Sequence, residues 1–325
     1  MKHAVPHVSA RRSAVASTLA VAVLAGSATA ICWGAADGAS ANTAYRRGHH
    51  KPSPTAAPTS TPTSTPTSTP TSTPTSTPTS SAPTGVPQSG VPTGTQLQAS
   101  GSITVTQAGA VIDGKDVKGQ IRVQANNVTI RNTRVTDGGW TVIDIAQGVT
   151  GTRIENVEVD GTGYQGSPGA VGIVGTATVV HTNIHGVENG IIPGTGSVVQ
   201  DSWIHQLESP GSDPHYDGFQ LDGGQKNILI ERNTVDLTNQ NRTSTVMIDN
   251  DFGPVSDVTV RANRLLGGSF TVYADGKFST TDPITAVSYV NNRMGRGGYG
   301  YGLLRNASVT WSGNVDDTTG DTVTP

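Results

Sequence analysis

The chain has one cysteine, Cys32, in 325 residues. A single thiol rules out an internal disulfide, so no covalent staple stabilises the fold. Aromatic residues are scarce as well, at 5% of the sequence with four phenylalanines. A core built from large rings is excluded, and stability must come from many small apolar side chains. Helical periodicity is missing too: after Ser100 the apolar residues alternate in short runs and do not recur at three- and four-residue spacing. That region also lacks a basic excess, with 15 Lys/Arg against 23 Asp/Glu, a balance of −8. Nucleic acid is therefore an unsuitable partner, because phosphate contacts need a basic surface.

The only long apolar run lies near the start. Lys2, Arg11 and Arg12 precede a run from Ala14 to Ala25, followed by Ala28-Thr29-Ala30 and Ala39-Ser40-Ala41. Basic residues, an apolar stretch and small-residue sites describe a secretory signal over 1–41, cleaved after Ala30 or Ala41. The alternative is an uncleaved anchor, since 14–36 could just span a bilayer. With cleavage, the mature protein is expected to be secreted or held at the cell surface, outside the membrane and monomeric. Residues 42–95 are rich in Pro, Thr and Ser, with Thr-Ser-Thr-Pro repeated. Such a segment buries too little apolar surface to fold, and at roughly 3.1 Å per residue the forty or so residues from Pro52 to Thr95 make a stalk of about 130 Å.

From residue 96 the sequence repeats itself. Pairs of inward candidates recur as Ile103/Val105, Val128/Ile130, Thr152/Ile154, Thr178/Val180, Ser197/Val199, Ile228/Ile230, Val258/Val260, Thr285/Val287 and Ala307/Val309. A second short strand follows in each repeat, as at 142–145, 171–174, 219–222, 246–249 and 270–274. Gly and Asn cluster between strands, where corners need positive φ. A variable period near 25 with short strands predicts an all-β solenoid of about nine coils. This pattern resembles the right-handed parallel β-helix of the pectate-lyase-like superfamily, single-stranded and spanning 96–325. Asn183, Asn233 and Asn263 fall at one offset and are expected to stack as an amide ladder. His181, His185 and His205 are read as corner residues, and Trp140, Trp203 and Trp311 as corner packing.

The longest intervals hold extra sequence at 207–216 and 238–244. Both precede a second strand, so both should overhang one face. Alternation then puts Gln220 and Asp222, Met247 and Asp249, and Tyr273 and Asp275 on that face. With coils about 4.8 Å apart, Asp222 and Asp249 should be neighbours. Crowded carboxylates make an acid/base pair or a Ca²⁺ site, and both readings stay open for Asp222 and Asp249. His215 in the adjoining loop can act as a base and Tyr216 as a proton donor.

Two local resemblances point to polysaccharides. Asp213-Pro214-His215 resembles the Asp-Pro-His core of the mannuronan C5-epimerases, which implies proton-transfer roles for Asp213 and His215. Tyr216-Asp217-Gly218-Phe219 is similar to a strand of the polygalacturonase-like hydrolases, whose paired aspartates would correspond to Asp249 and Asp251. The leading expectation is a polyuronate lyase or epimerase with His215, Tyr216, Asp217 and Asp213 as catalytic groups. Gln220, Arg242, Tyr273, Lys277 and Asp275 would then bind substrate. Arg242, Lys277 or a bound Ca²⁺ would neutralise the uronate. The alternatives are inverting hydrolysis by two of Asp217, Asp222, Asp249 and Asp275, and a non-catalytic, stalked glycan-binding rod.

Overall fold

The computed structural model describes residues 81–163, 169–210, 214–240 and 242–325. The expected signal segment, Cys32, most of the Pro/Thr/Ser segment and Asp213 lie outside the described residues. Among those described there is no helix, and so none long and apolar enough to cross a membrane.

Every coil is built the same way. Ile103–Val105 enters sheet B, Val111–Asp113 enters sheet C, and Lys115–Lys118 enters sheet A. The next coil repeats the order with Ile121–Val123, Thr129–Arg131 and Arg134–Thr136, each paired in parallel with its predecessor. Nine strands stack in sheets B and C and ten in sheet A. The chain is a parallel β-helix with three strands per coil.

The core is a column of like on like. On sheet C the register places Ile112, Ile130, Ile154, Val179, Val199, Ile230, Val260 and Tyr289 one above another, all buried. β-branched side chains with one dominant rotamer suit such stacking, because each fills the same notch in the coil below. This is how a chain poor in rings and disulfides gains its apolar contact.

The register differs from the expected pairs at four points. Ile103/Val105 lies on sheet B, and the sheet C position of that coil is Ile112. Ala177 and Val179 face inward rather than Thr178/Val180, because in Ala-Thr-Val-Val either alternation offers a β-branched residue. A bulge between Ile284 and Val287 exposes Thr285 and makes Val287/Tyr289 the inward pair. The last pair shifts with it, from Ala307/Val309 to Val309/Trp311.

The corner from sheet C to sheet A is a column of left-handed residues. Asn132, Asn156, His181, Asp201, Arg232, Ala262 and Asn291 all have φ between 48° and 56°. Each donates its N–H to a carbonyl one coil on, as His181 does to Gln200. The stacked hydrogen bonds hold a conformation that L-residues otherwise avoid. Beside it runs the amide ladder of Asn233, Asn263, Asn292 and Asn314, buried throughout. Asn183 is not part of it. The ladder continues through Ser202 and Thr182, while Asn183 turns outward to bond His205 Nε2 at 2.8 Å.

Before the first coil, the chain lies along the outside of sheet A. Thr234 Oγ1 donates to the Gly85 carbonyl at 2.9 Å, and Gly90 N–H to the His181 carbonyl at 2.8 Å. The longest register steps are Val199 to Ile230, Ile230 to Val260 and Val260 to Tyr289. The extra length falls before sheet B, between the strands Trp203–His205 and Asp217–Leu221 and between Thr234–Leu237 and Val246–Ile248, and after sheet B at 249–254 and 276–283. Sheet B is thus flanked on both edges.

Candidate functional site

On the outer face of sheet B the register forms two adjacent columns. One carries Gln220, Met247, Tyr273 and Leu303, and the other Asp222, Asp249, Asp275 and Arg305. Leu221, Ile248 and Ala274 between them are fully buried, so the alternation sends these aspartates outward. Asp249 N–H donates to the Leu221 carbonyl at 2.8 Å, which locks the two coils in step. Stacked strands place the main chains of these neighbouring aspartates about 4.8 Å apart.

Three of the carboxyls titrate abnormally. Burial, then the neighbouring Asp249, raises Asp222 to about 7, and a hydrogen bond from Gln220 opposes this. Asp249 rises to about 6, again chiefly through burial, with Asp251 and Asp275 adding to it and the Asp251 N–H and Lys277 opposing. Asp217, at the start of the strand Asp217–Leu221, is fully buried and pushed well above the ordinary range by burial and by Asp222. Its Oδ1 accepts the Ser244 N–H at 3.2 Å. Asp275 is a different case. Arg305 grips both its oxygens, at 2.7 and 2.6 Å, and Lys277 Nζ lies 3.8 Å away. A bidentate guanidinium thus occupies both oxygens of this side chain.

The structure therefore gathers Asp217, Gln220, Asp222, Asp249, Tyr273 and Asp275 on one face. The imidazole is not among them. His215 lies two residues before the strand and Asp222 just after it, seven residues or about 23 Å of fully extended chain apart. His215 is exposed, and its N–H donates to Glu188 Oε1 at 2.9 Å. Tyr216 next to it packs partly against the core, and burial and Glu188 raise its phenol. Arg242 is exposed in the loop before Val246–Ile248, away from the Arg305 end of the face.

Several contributors escape sequence reasoning. Glu188 is buried and holds two loops together: Oε2 accepts the Gly169 N–H and the Ser209 hydroxyl at 2.5 Å each, and Oε1 takes His215. One signal for it was present, since Glu188 is the only Asp, Glu, Lys or Arg between residues 161 and 200. Phe252 and Phe278 stand exposed on the corner loops beyond Asp249 and Asp275. Arg305 is visible only once the coil register is known.

Calcium takes six to eight oxygens. Among the described residues no group of three or more His, Cys, Asp or Glu is placed to hold a metal ion. No family model, curated protein or solved structure matches this chain.

Proposed function

We propose that this protein cleaves glycosidic bonds in an extended glycan laid along sheet B, with Asp222 and Asp249 as the working pair. One observation carries the reading: two outward carboxyls on consecutive coils, shielded enough that they share one proton between about pH 6 and 7. Glycoside hydrolysis needs that combination of one acid and one carboxylate. The architecture, which resembles pectate-lyase-like β-helices, adds a long flank suited to an extended chain. Secretion through the N-terminal signal belongs to the same proposal.

Spacing decides the stereochemistry. Retaining pairs stand about 5–5.5 Å apart and inverting pairs about 6.5–9.5 Å. Asp275 could have given Asp222 the longer separation, but it is engaged by Arg305. Asp222 and Asp249 on adjacent coils favour retention. Asp249 attacks the anomeric carbon as the glycosidic C–O bond breaks, and the leaving oxygen takes the Asp222 proton. Asp222 then deprotonates a water that displaces Asp249.

The test is a panel of extended glycans followed by NMR and reducing-end assay. New reducing ends of the original anomeric form are expected. The rate should peak between about pH 6 and 7, falling above as Asp222 loses its proton and below as Asp249 gains one. Products of inverted configuration would remove Asp249 as nucleophile. Silence on every glycan would leave the third alternative, a tethered rod that only binds.

The second reading is proton abstraction beside a uronate carboxylate, with His215 as base and Tyr216 as donor. It is favoured by the way Glu188 anchors the His215 main chain and leaves its ring exposed at the edge of sheet B. On the hydrolase reading, His215→Ala keeps turnover within about twofold, and absorbance near 235 nm stays flat. A rise at 235 nm that this variant abolishes would transfer the site to His215.

A further inference from the structure

We infer that the sheet B groove selects glycans carrying free amino groups rather than uronates. This rests on the groove reading above and names its substrate class.

The first ground is charge. Asp222, Asp249 and Asp275 stack in one column, and Asp251 adds a fourth carboxyl beside Asp249. Among the described residues the cations at the Asp275 end are Arg305, which grips both Asp275 oxygens, and Lys277, whose Nζ lies 3.8 Å from one of them. A polyuronate laid along the aspartate column would place like charges a few ångströms apart. An ammonium on the sugar would instead sit against carboxylates in a partly shielded site, where the attraction exceeds that in open water.

The second ground is independent of the acids. Gln220 is only 8% exposed, and its side-chain N–H is engaged with Asp222, yet its Oε1 has no hydrogen-bond partner. Left without a donor, this buried acceptor favours a small rotation of the amide that lets a ligand N–H or O–H reach it. Gln220 and the aspartate column together offer acceptors, so the complementary ligand is rich in N–H and O–H donors.

The third ground is the rim. Phe252 is 53% exposed and Phe278 48% exposed. They are tied to the groove by main-chain bonds, Phe252 N–H to the Asp222 carbonyl at 2.8 Å and Phe278 N–H to Asn250 Oδ1 at 3.1 Å. Lys277 already lies 4.7 Å from the Phe278 ring centre. These rings accept a cation or the apolar face of a sugar, one coil apart along the groove.

The experiment titrates the full chain at pH 7 with three hexamers: β-1,4-glucosamine, its N-acetylated form, and galacturonate. The glucosamine hexamer should bind at least tenfold tighter than the acetylated one, and more weakly as salt rises. Phe252→Ala and Phe278→Ala should each weaken binding by about tenfold. Galacturonate binding as tightly as glucosamine, or no binding by any hexamer, would overturn the inference. Glucosamine binding without cleavage supports the inference and sinks the hydrolase reading alone. Cleavage with no preference for the amine sinks the inference alone.

Discussion

Asp222→Asn abolishes turnover and makes the protein more stable at pH 8. Both effects come from one proton. The folded state holds Asp222 at about 7, above its ordinary 3.8, so it binds a proton that the unfolded chain releases. The stability contributed by that proton is fully present below about pH 4 and is lost as pH rises through about 7. At pH 8 the native protein therefore carries a cost that asparagine removes. The full gap corresponds to about 4 kcal/mol at roughly 1.4 kcal/mol per pH unit. The carboxyl is partly exposed and shares its proton with Asp249, so a gain of about 2 kcal/mol is expected. Asparagine still accepts the Gln220 N–H, so geometry is kept. Denaturant midpoints for both proteins should coincide at pH 4 and diverge at pH 8, with the variant higher. Equal midpoints at pH 8 would mean that Asp222 is an ordinary solvated aspartate, and the acid/base pair would go with it. A group that costs stability and carries activity is the usual signature of a working site.

That pair was legible because of the alternation. Leu221 and Ile248 are unmistakably inward, and a period of two then sends Asp222 and Asp249 out on neighbouring coils. The solenoid itself was legible for the same reason, through sheets B and C. Sheet A was not. Its strands are mostly three residues with one buried side chain, as in Arg134–Thr136, Glu158–Asp160 and Asn183–His185. A single apolar residue between polar neighbours has no period to detect. Each coil consequently read as two strands instead of three.

What depends on register between coils was equally hidden. The Arg305–Asp275 clamp joins residues 30 apart, and nothing local in Gly-Leu-Leu-Arg marks its arginine as a partner. His215 is held apart by its main-chain bond to Glu188, which proximity in sequence conceals. Asp213-Pro214-His215-Tyr216-Asp217 looks like one cluster on paper. In the fold, Asp217 turns into the acidic face while His215 stays on the loop with Glu188.

Removing one rung of the amide ladder has the largest expected effect on stability. Asn263 is wholly buried, and its side chain makes five hydrogen bonds. Nδ2 donates to the carbonyls of Ile230 at 2.9 Å and Arg261 at 3.0 Å, and to Asn292 Oδ1 at 3.1 Å. Oδ1 accepts the Asn233 N–H at 2.8 Å and its side-chain amide at 3.1 Å. Asn263→Ala strands these partners in the interior of three consecutive coils, at about 1–3 kcal/mol for each buried group left unpaired. Some partners keep a second bond, so a total loss of about 4–5 kcal/mol is expected. Each coil rests only on its neighbours, so the damage should spread along the axis and appear as early hydrogen exchange in 228–295. Asn183→Ala is the control. That residue lies off the ladder and is bonded to His205 alone in its side chain, so its loss should cost about 1 kcal/mol or less. If the two variants unfold at the same denaturant concentration, the ladder is no more than a row of ordinary corner amides. A clear gap between them would assign the corner's rigidity to asparagine stacking, in a chain that has few rings to stack.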